Sequence, residues 1–220
     1  MRQIKVLYQD EHCAVFDKPS GLIVTPAPHQ DQKTLTDIVN DQYASEGSAR
    51  LHPCHRLDKE TSGVIIYAWG KQNQQRIMSL FHEDKVSKKY IALVRGRVKE
   101  REGTLRSKIQ DTYQRQYAGR SSGKMAVTRF RVLKYCNGFT LIEARPQTGR
   151  THQIRIHFAR MGNPILGERI YAFRKDFDVR FKRLALHCCQ MSWPDIKTGK
   201  NIVVEAEWPS DIKKMLGRKE

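Results

Sequence analysis

Short apolar runs recur along the chain at 4–7, 14–16, 64–67, 90–94, 126–133, 139–144, 184–191 and 202–206. Several of them alternate with polar residues as a half-buried strand does. Ile202, Val204, Ala206 and Trp208 alternate with Val203, Glu205 and Glu207, and the turn pair Thr198-Gly199 predicts that this run pairs with Leu184–Trp193. Four stretches carry a helical period instead. Thr34–Tyr43 puts Leu35, Ile38 and Val39 on one face, and Lys71–Glu83 does the same with Ile77, Leu80 and Phe81. Gly149–Met161 is the third, stopped by Gly162, and the fourth is short, with Ser210 as its cap and Ile212, Met215 and Leu216 as its apolar side. Strands outnumber helices and do not alternate strictly with them, so the fold class is α+β with a mixed, mainly antiparallel sheet. No Ser/Gly/Pro linker, repeat or low-complexity tract divides the chain. A single domain over 1–220 is expected.

Charge narrows the choice of partner. The 220 residues hold 40 Lys and Arg against 23 Asp and Glu, a net charge of +17. Such an excess repels itself within a fold and makes sense beside a polyanion. No apolar run approaches the roughly 20 residues of a membrane span, and Met1-Arg2-Gln3-Ile4-Lys5 has no signal-peptide core. Nucleic acid is therefore the expected partner, and a membrane is not. One basic stretch, 85–108, includes Lys88, Lys89, Arg95, Arg97 and Arg106. Another, 169–183, interleaves Arg174, Lys175, Arg180 and Lys182 with Tyr171, Phe173, Phe177 and Phe181. Those aromatics either stack on exposed bases or anchor a solvated loop. The five cysteines are odd in number and lack CxxC spacing, which fits unpaired thiols in a reducing cytoplasm. His187-Cys188-Cys189 cannot grip one ion, because neighbours on a strand point to opposite faces. No metal site is expected.

Three stretches could carry chemistry. His55-Arg56-Leu57-Asp58-Lys59-Glu60-Thr61-Ser62-Gly63 places a carboxylate in a polar loop just before the apolar run Val64–Trp69. A strand there holds the backbone still while the loop leaves the side chain reachable. Taken alone, the stretch reads first as an Arg56–Asp58 ion pair closing a turn. Lys88-Lys89-Tyr90 opens the next apolar run, with Tyr90 on the face of Ala92 and Val94, in the interior or in a cleft. In Thr148-Gly149-Arg150-Thr151-His152-Gln153-Ile154-Arg155-Ile156-His157, a helix would put His152 and Arg155 on one face, solvated or turned into an anionic cleft.

These blocks, in this order, resemble the motifs of the RluA-type pseudouridine synthases. The flanking segments Asp17-Lys18-Pro19-Ser20-Gly21-Leu22, Gly123–Thr128 and Pro164–Ala172 also resemble that pattern, and the likeness spans about residues 4–209. Two positions depart from it: Glu168 where Asp is common and Ala172 where Gly is. Neither is expected to touch the chemistry. The resemblance implies a pseudouridine synthase catalytic fold, a central sheet flanked by helices with a basic cleft. It also implies isomerisation of specific uridines, in structured ribosomal or transfer RNA, without a cofactor. It assigns Asp58 as the essential carboxylate, Arg155 as its pairing arginine, and Tyr90 as the ring that stacks on the base and takes part in proton transfer. Arg56 is implied to fill the space left by an extruded nucleotide. His55, Lys88, Lys89, Arg150 and His152 are the remaining expected RNA contacts. The expectation is a cytoplasmic monomer without the separate N-terminal RNA-binding domain frequent in the family. A metal-free nuclease and a non-catalytic RNA-binding module are the alternative classes.

Overall fold

The computed structural model describes residues 3–26, 32–43, 49–110, 123–172 and 179–217. The chain forms two compact units, Met1–Ser87 with Cys188–Glu207, and Lys88–His187 with Trp208–Glu220.

In the first unit, β1 (Val6–Gln9), β2 (Cys13–Lys18) and β4 (Ser62–Trp69) are neighbours in that order, and the short β3 (Leu51–Pro53) also pairs with β4. Strand β9 (Leu186–Pro194) lies next to β4, and β10 (Asn201–Glu205) pairs antiparallel with it, Ile202 opposite Trp193. This is the hairpin expected from the Thr198-Gly199 turn. Seven of the eight β4 residues are buried, which is why that run reads as continuously apolar. Gly63, at φ +114°, is obligatory here, because a Cβ would lie 2.1 Å from the Cys188 carbonyl oxygen. Helix α1 (Leu35–Gln42) starts at a capping box between Thr34 and Asp37, and buries Leu35 and Val39. Helix α2 (Gly70–His82) buries Ile77 and packs on β3 and β4.

In the second unit, β5 (Ser87–Arg95), β8 (Phe139–Pro146), β7 (Lys124–Cys136) and β6 (Glu102–Ile109) form an antiparallel array in that order. Helix α3 (Gln153–Arg160) covers one face, with Phe158 edge-on to Phe130 of β7 at 5.7 Å between ring centroids. Helix α4 (Ser210–Leu216) closes the chain.

The strands and helices fall close to their expected places, with four differences, the first being β3, a three-residue strand outside every expected apolar run. Strand β6 was read only as part of a basic stretch, yet exposed Glu102, Thr104, Arg106 and Lys108 alternate with more buried residues. Helix α3 begins at Gln153, four residues later than expected, because the chain first makes a turn through 149–152. Ser210 is the first helical residue of α4, and Pro209 occupies the cap position. Among the described residues, no helix is long and apolar enough to cross a membrane.

Candidate active site

The HRLD stretch is held from three sides within the first unit. His55 Nε2 accepts a hydrogen bond from the Ile66 backbone N–H at 3.1 Å. The His55 ring also packs on Phe81 of α2 at 5.0 Å. Leu57 is buried in the core. Between these anchors Arg56 points outward and is exposed, and among the described residues it forms no ion pair. The turn-closing Arg56–Asp58 pair is therefore absent. Asp58 follows, half-buried, with its carbonyl accepting from the Thr61 N–H at 3.1 Å.

The loop after Asp58 is gripped by the end of β2. Lys18 is fully buried, and its ammonium donates to the carbonyls of Pro19 (3.0 Å), Lys59 (3.0 Å) and Thr61 (2.8 Å). Ser20 Oγ donates to the Glu60 carbonyl at 2.7 Å, and the Gly21 N–H to that of Lys59 at 2.8 Å. Three converging carbonyls suit the three donors of an ammonium and nothing apolar. Replacing Lys18 by Met keeps the volume but strips these acceptors of their donor, at about 2–4 kcal/mol. For a chain of this size the midpoint of thermal unfolding should then fall by roughly 4–15 °C. An unchanged Tm would show that Lys18 does not hold the loop.

Within the second unit there is a buried cluster at the start of α3. Arg155 and Glu168 are 4% and 1% exposed. Arg155 Nε donates to Glu168 Oε2 and Nη2 to Oε1, each at 2.7 Å, a two-pronged fit that only a guanidinium provides. Glu168 Oε1 also accepts from the backbone N–H groups of Arg169 and Ile170 at 2.9 Å. Burial pushes this carboxyl up, but the Arg155 hydrogen bond, the backbone donors and the Arg155 charge outweigh it and hold it below the usual range. Gly167 (φ +79°) makes the turn possible, since a Cβ there would lie 1.8 Å from the Arg183 carbonyl oxygen. The Tyr171 ring lies 5.5 Å from the Arg155 guanidinium carbon, and its hydroxyl is 2.8 Å from His152 Nδ1.

His152 precedes the helix in a left-handed conformation, φ 54° and ψ 23°. It therefore does not share a helical face with Arg155, and Tyr171 links the two instead. The turn is built around buried Gln153. Its Oε1 accepts from Thr148 Oγ1 (2.6 Å) and the Arg150 N–H (3.1 Å), while its Nε2 donates to the Val127 carbonyl and Thr128 Oγ1, both at 2.9 Å. Arg150 is exposed on this turn. A Cβ on Gly149 would lie 3.8 Å from Lys88 Nζ, so the start of β5 adjoins it. Tyr90 is buried on β5 opposite Ala144, and Lys88 and Lys89 are half-buried.

Sequence reading missed Lys18, Gln153, Glu168 and the role of Tyr171. Glu168, one of the two departures from the family pattern, holds the arginine that the resemblance pairs with Asp58. Of the second basic stretch, Phe173, Arg174, Lys175 and Phe177 lie outside the described residues. Among the described residues, no cluster of His, Cys, Asp or Glu is arranged to hold a metal ion.

The family model described as RNA pseudouridylate synthase matches residues 12–160, a span that includes the HRLD loop, β5 and the start of α3. The chain belongs to this family of isomerases. It is 35% identical to the dual-specificity RNA pseudouridine synthase RluA of Yersinia pestis, over 92% of this chain and 99% of that one. An uncharacterized RNA pseudouridine synthase of Aquifex aeolicus is 38% identical over 78% of this chain, which spans only 57% of that relative's length. Among solved structures, human RNA Pseudouridylate Synthase Domain Containing 4 superposes with a TM-score of 0.79 at 26% identity, covering 96% of this chain and 91% of that one. The antiparallel strands and the helices beside them are thus those of a pseudouridine synthase, and RNA is the substrate class of the family.

Proposed function

We propose that the protein converts specific uridines of structured ribosomal or transfer RNA into pseudouridine, with Asp58 as the essential carboxylate. The observation that carries this reading is the HRLD loop. It presents a half-buried carboxylate on backbone clamped by Lys18, Ser20 and Gly21, in a chain whose family isomerises uridine. In the proposed reaction the C1′–N1 bond breaks, the uracil turns, and a C5–C1′ bond forms. The proton leaves C5 and N1 takes one up, so no group and no electron enters from outside. Asp58 acts on C1′, on the uracil ring, or through loss of the 2′ proton. Each route needs an ionised carboxylate, and Arg155 is proposed to supply the cation that keeps it so. Tyr90 is proposed to stack on the base and to take part in proton transfer from C5.

A stacked uridine hides its glycosidic bond, so the nucleotide must be extruded at a cost of a few kcal/mol. Arg56 suits the vacated space, because it is exposed, unpaired among the described residues, and planar. Lys88, Lys89, Arg150 and His152 are proposed RNA contacts, and His55 is proposed to join them from beside its β4 hydrogen bond. The relative named for the ribosomal large subunit supports large-subunit rRNA as a candidate substrate, and the one named for dual specificity supports action on more than one kind of RNA. Pseudouridine mapping of total RNA from cells with and without the gene tests this. The expected result is loss of one or a few sites in a tRNA or large-subunit rRNA loop, restored by the purified protein. An unchanged map, with none formed by the purified protein, would sink the proposal.

A further inference from the structure

Gln153 is the centre of a hydrogen-bonded chain in which each donor dictates the next. Its Oε1 accepts from the Arg150 N–H, so the other terminus is Nε2, which donates to the Val127 carbonyl. Thr148 Oγ1 accepts from the Val127 N–H at 3.0 Å, which leaves its own proton for Gln153 Oε1. The second Nε2 proton goes to Thr128 Oγ1 at 2.9 Å. Thr128 is fully buried, and its hydroxyl also meets His157 Nδ1 at 3.0 Å. His157 lies one turn along α3 from Gln153, on the same face, and is 3% exposed. Among the described residues its Nε2 has no hydrogen-bond partner.

Two neutral forms of the His157 ring fit this geometry, and they differ in what they leave unmatched. With the proton on Nδ1, the Thr128 hydroxyl proton and the Nε2 lone pair both lack a partner. With the proton on Nε2, Nδ1 accepts from Thr128 and only the Nε2 N–H is unmatched. The second form orphans fewer buried groups and is the more stable. Burial, joined by the charge of Arg160, pushes the imidazole below its ordinary pKa and keeps it neutral. We infer that His157 is a positioning residue for RNA binding: as an acceptor it orients the Thr128 hydroxyl, which fixes the Gln153 carboxamide, which in turn holds the turn carrying Arg150 and His152. That turn needs a hold, because His152 sits at φ 54°, in the left-handed region that favours glycine. A guanidinium and an imidazole presented from a fixed turn lose less freedom on meeting RNA than the same groups on a loose one. Being buried, His157 acts on affinity and leaves the chemical step alone. The inference rests on the reading of Arg150 and His152 as RNA contacts.

His157→Leu removes the acceptor, and His157→Asn returns one at the place of Nδ1. Amide hydrogen exchange of Arg150 is followed by NMR, and binding of a fluorescein-labelled RNA stem-loop with uridines in its loop by anisotropy. Single-turnover pseudouridine formation is measured at saturating RNA, all well below each variant's Tm. In the wild type the ring nitrogen shifts should show Nδ1 bare and the proton on Nε2. In His157→Leu the Arg150 N–H is expected to exchange about 10-fold faster and RNA affinity to fall about 5-fold, the scale of one hydrogen bond. The saturated rate should stay within about 2-fold, since the reacting groups are untouched. His157→Asn should restore exchange and affinity, and Thr128→Val, which keeps the shape and deletes the hydroxyl, should behave as His157→Leu does. Ile212→Val on α4 is a fully buried change with no link to Gln153, and it should lower Tm by roughly 2–5 °C while leaving both readouts as they are. A proton on Nδ1, unchanged Arg150 exchange or affinity in both His157→Leu and Thr128→Val, an equal loss of affinity in Ile212→Val, or a fall in the saturated rate that matches the fall in affinity would overturn the inference. If the wild type binds the stem-loop but forms no pseudouridine, the exchange and binding results still decide it, while the proposed reaction fails.

Discussion

Asp58→Asn is expected to reduce pseudouridine formation by about 10⁴-fold or more, the scale on which loss of an essential reacting group is felt. The two side chains have the same shape, so the loop has little reason to move. Its position depends on Leu57 in the core, on the His55–Ile66 hydrogen bond, and on the Lys18, Ser20 and Gly21 contacts to the backbone of residues 59–61. None of these uses the Asp58 carboxylate. The variant should therefore stay folded and bind RNA within a few-fold. Nucleoside analysis of RNA incubated with each protein, beside a melting curve, separates loss of chemistry from loss of fold. Turnover near the wild-type rate would remove Asp58 from the centre of the mechanism.

Breaking the Arg155–Glu168 pair is the second large effect. Arg155→Leu leaves a carboxylate that is 1% exposed without its guanidinium, and the uncompensated charge costs about 3–5 kcal/mol. Tm should drop by roughly 10 °C, and activity should collapse. The single variant alone cannot say why activity is lost, but the pair can be removed whole. Arg155→Leu with Glu168→Met fills similar volume without a buried charge and should regain most of the lost Tm. It should remain inactive, because the cation proposed to serve Asp58 is still missing. A stable and active double variant would make the pair purely structural. The pair also sets an acid limit. The Glu168 carboxyl is held below its ordinary value, so its contribution is present above about pH 4.3 and is lost as pH falls through the lower folded value.

The sequence showed the strands that bury apolar residues, since their alternation survives in any fold of this class. It did not show which polar residues go inside. Lys18, Gln153 and Glu168 look like surface residues until their partners are known. Those partners come from afar: Lys18 meets Thr61 43 residues on, and Gln153 meets Thr128 25 residues back. Glu168 was set aside as a mild departure because only the fold brings it to Arg155. Strand β6 hid for a related reason: its exposed face carries Arg106 and Lys108, and charge drew attention away from the period-2 pattern. The late start of α3 was also illegible, because His152 adopts a positive φ that favours glycine and the Gln153 side chain stabilises the turn that permits it. The HRLD and TGRTHQIR blocks were legible as motifs, whereas the contacts that hold them in place were not.

Tritium release tests the central claim most directly. RNA labelled with tritium at uridine C5 is incubated with the purified wild-type protein and with Asp58→Asn, in the presence of a chelator. Wild type should release tritium to water while the RNA stays full length, and Asp58→Asn should release none above background. Strand scission, or intact RNA that keeps its label with the wild-type protein, would contradict it.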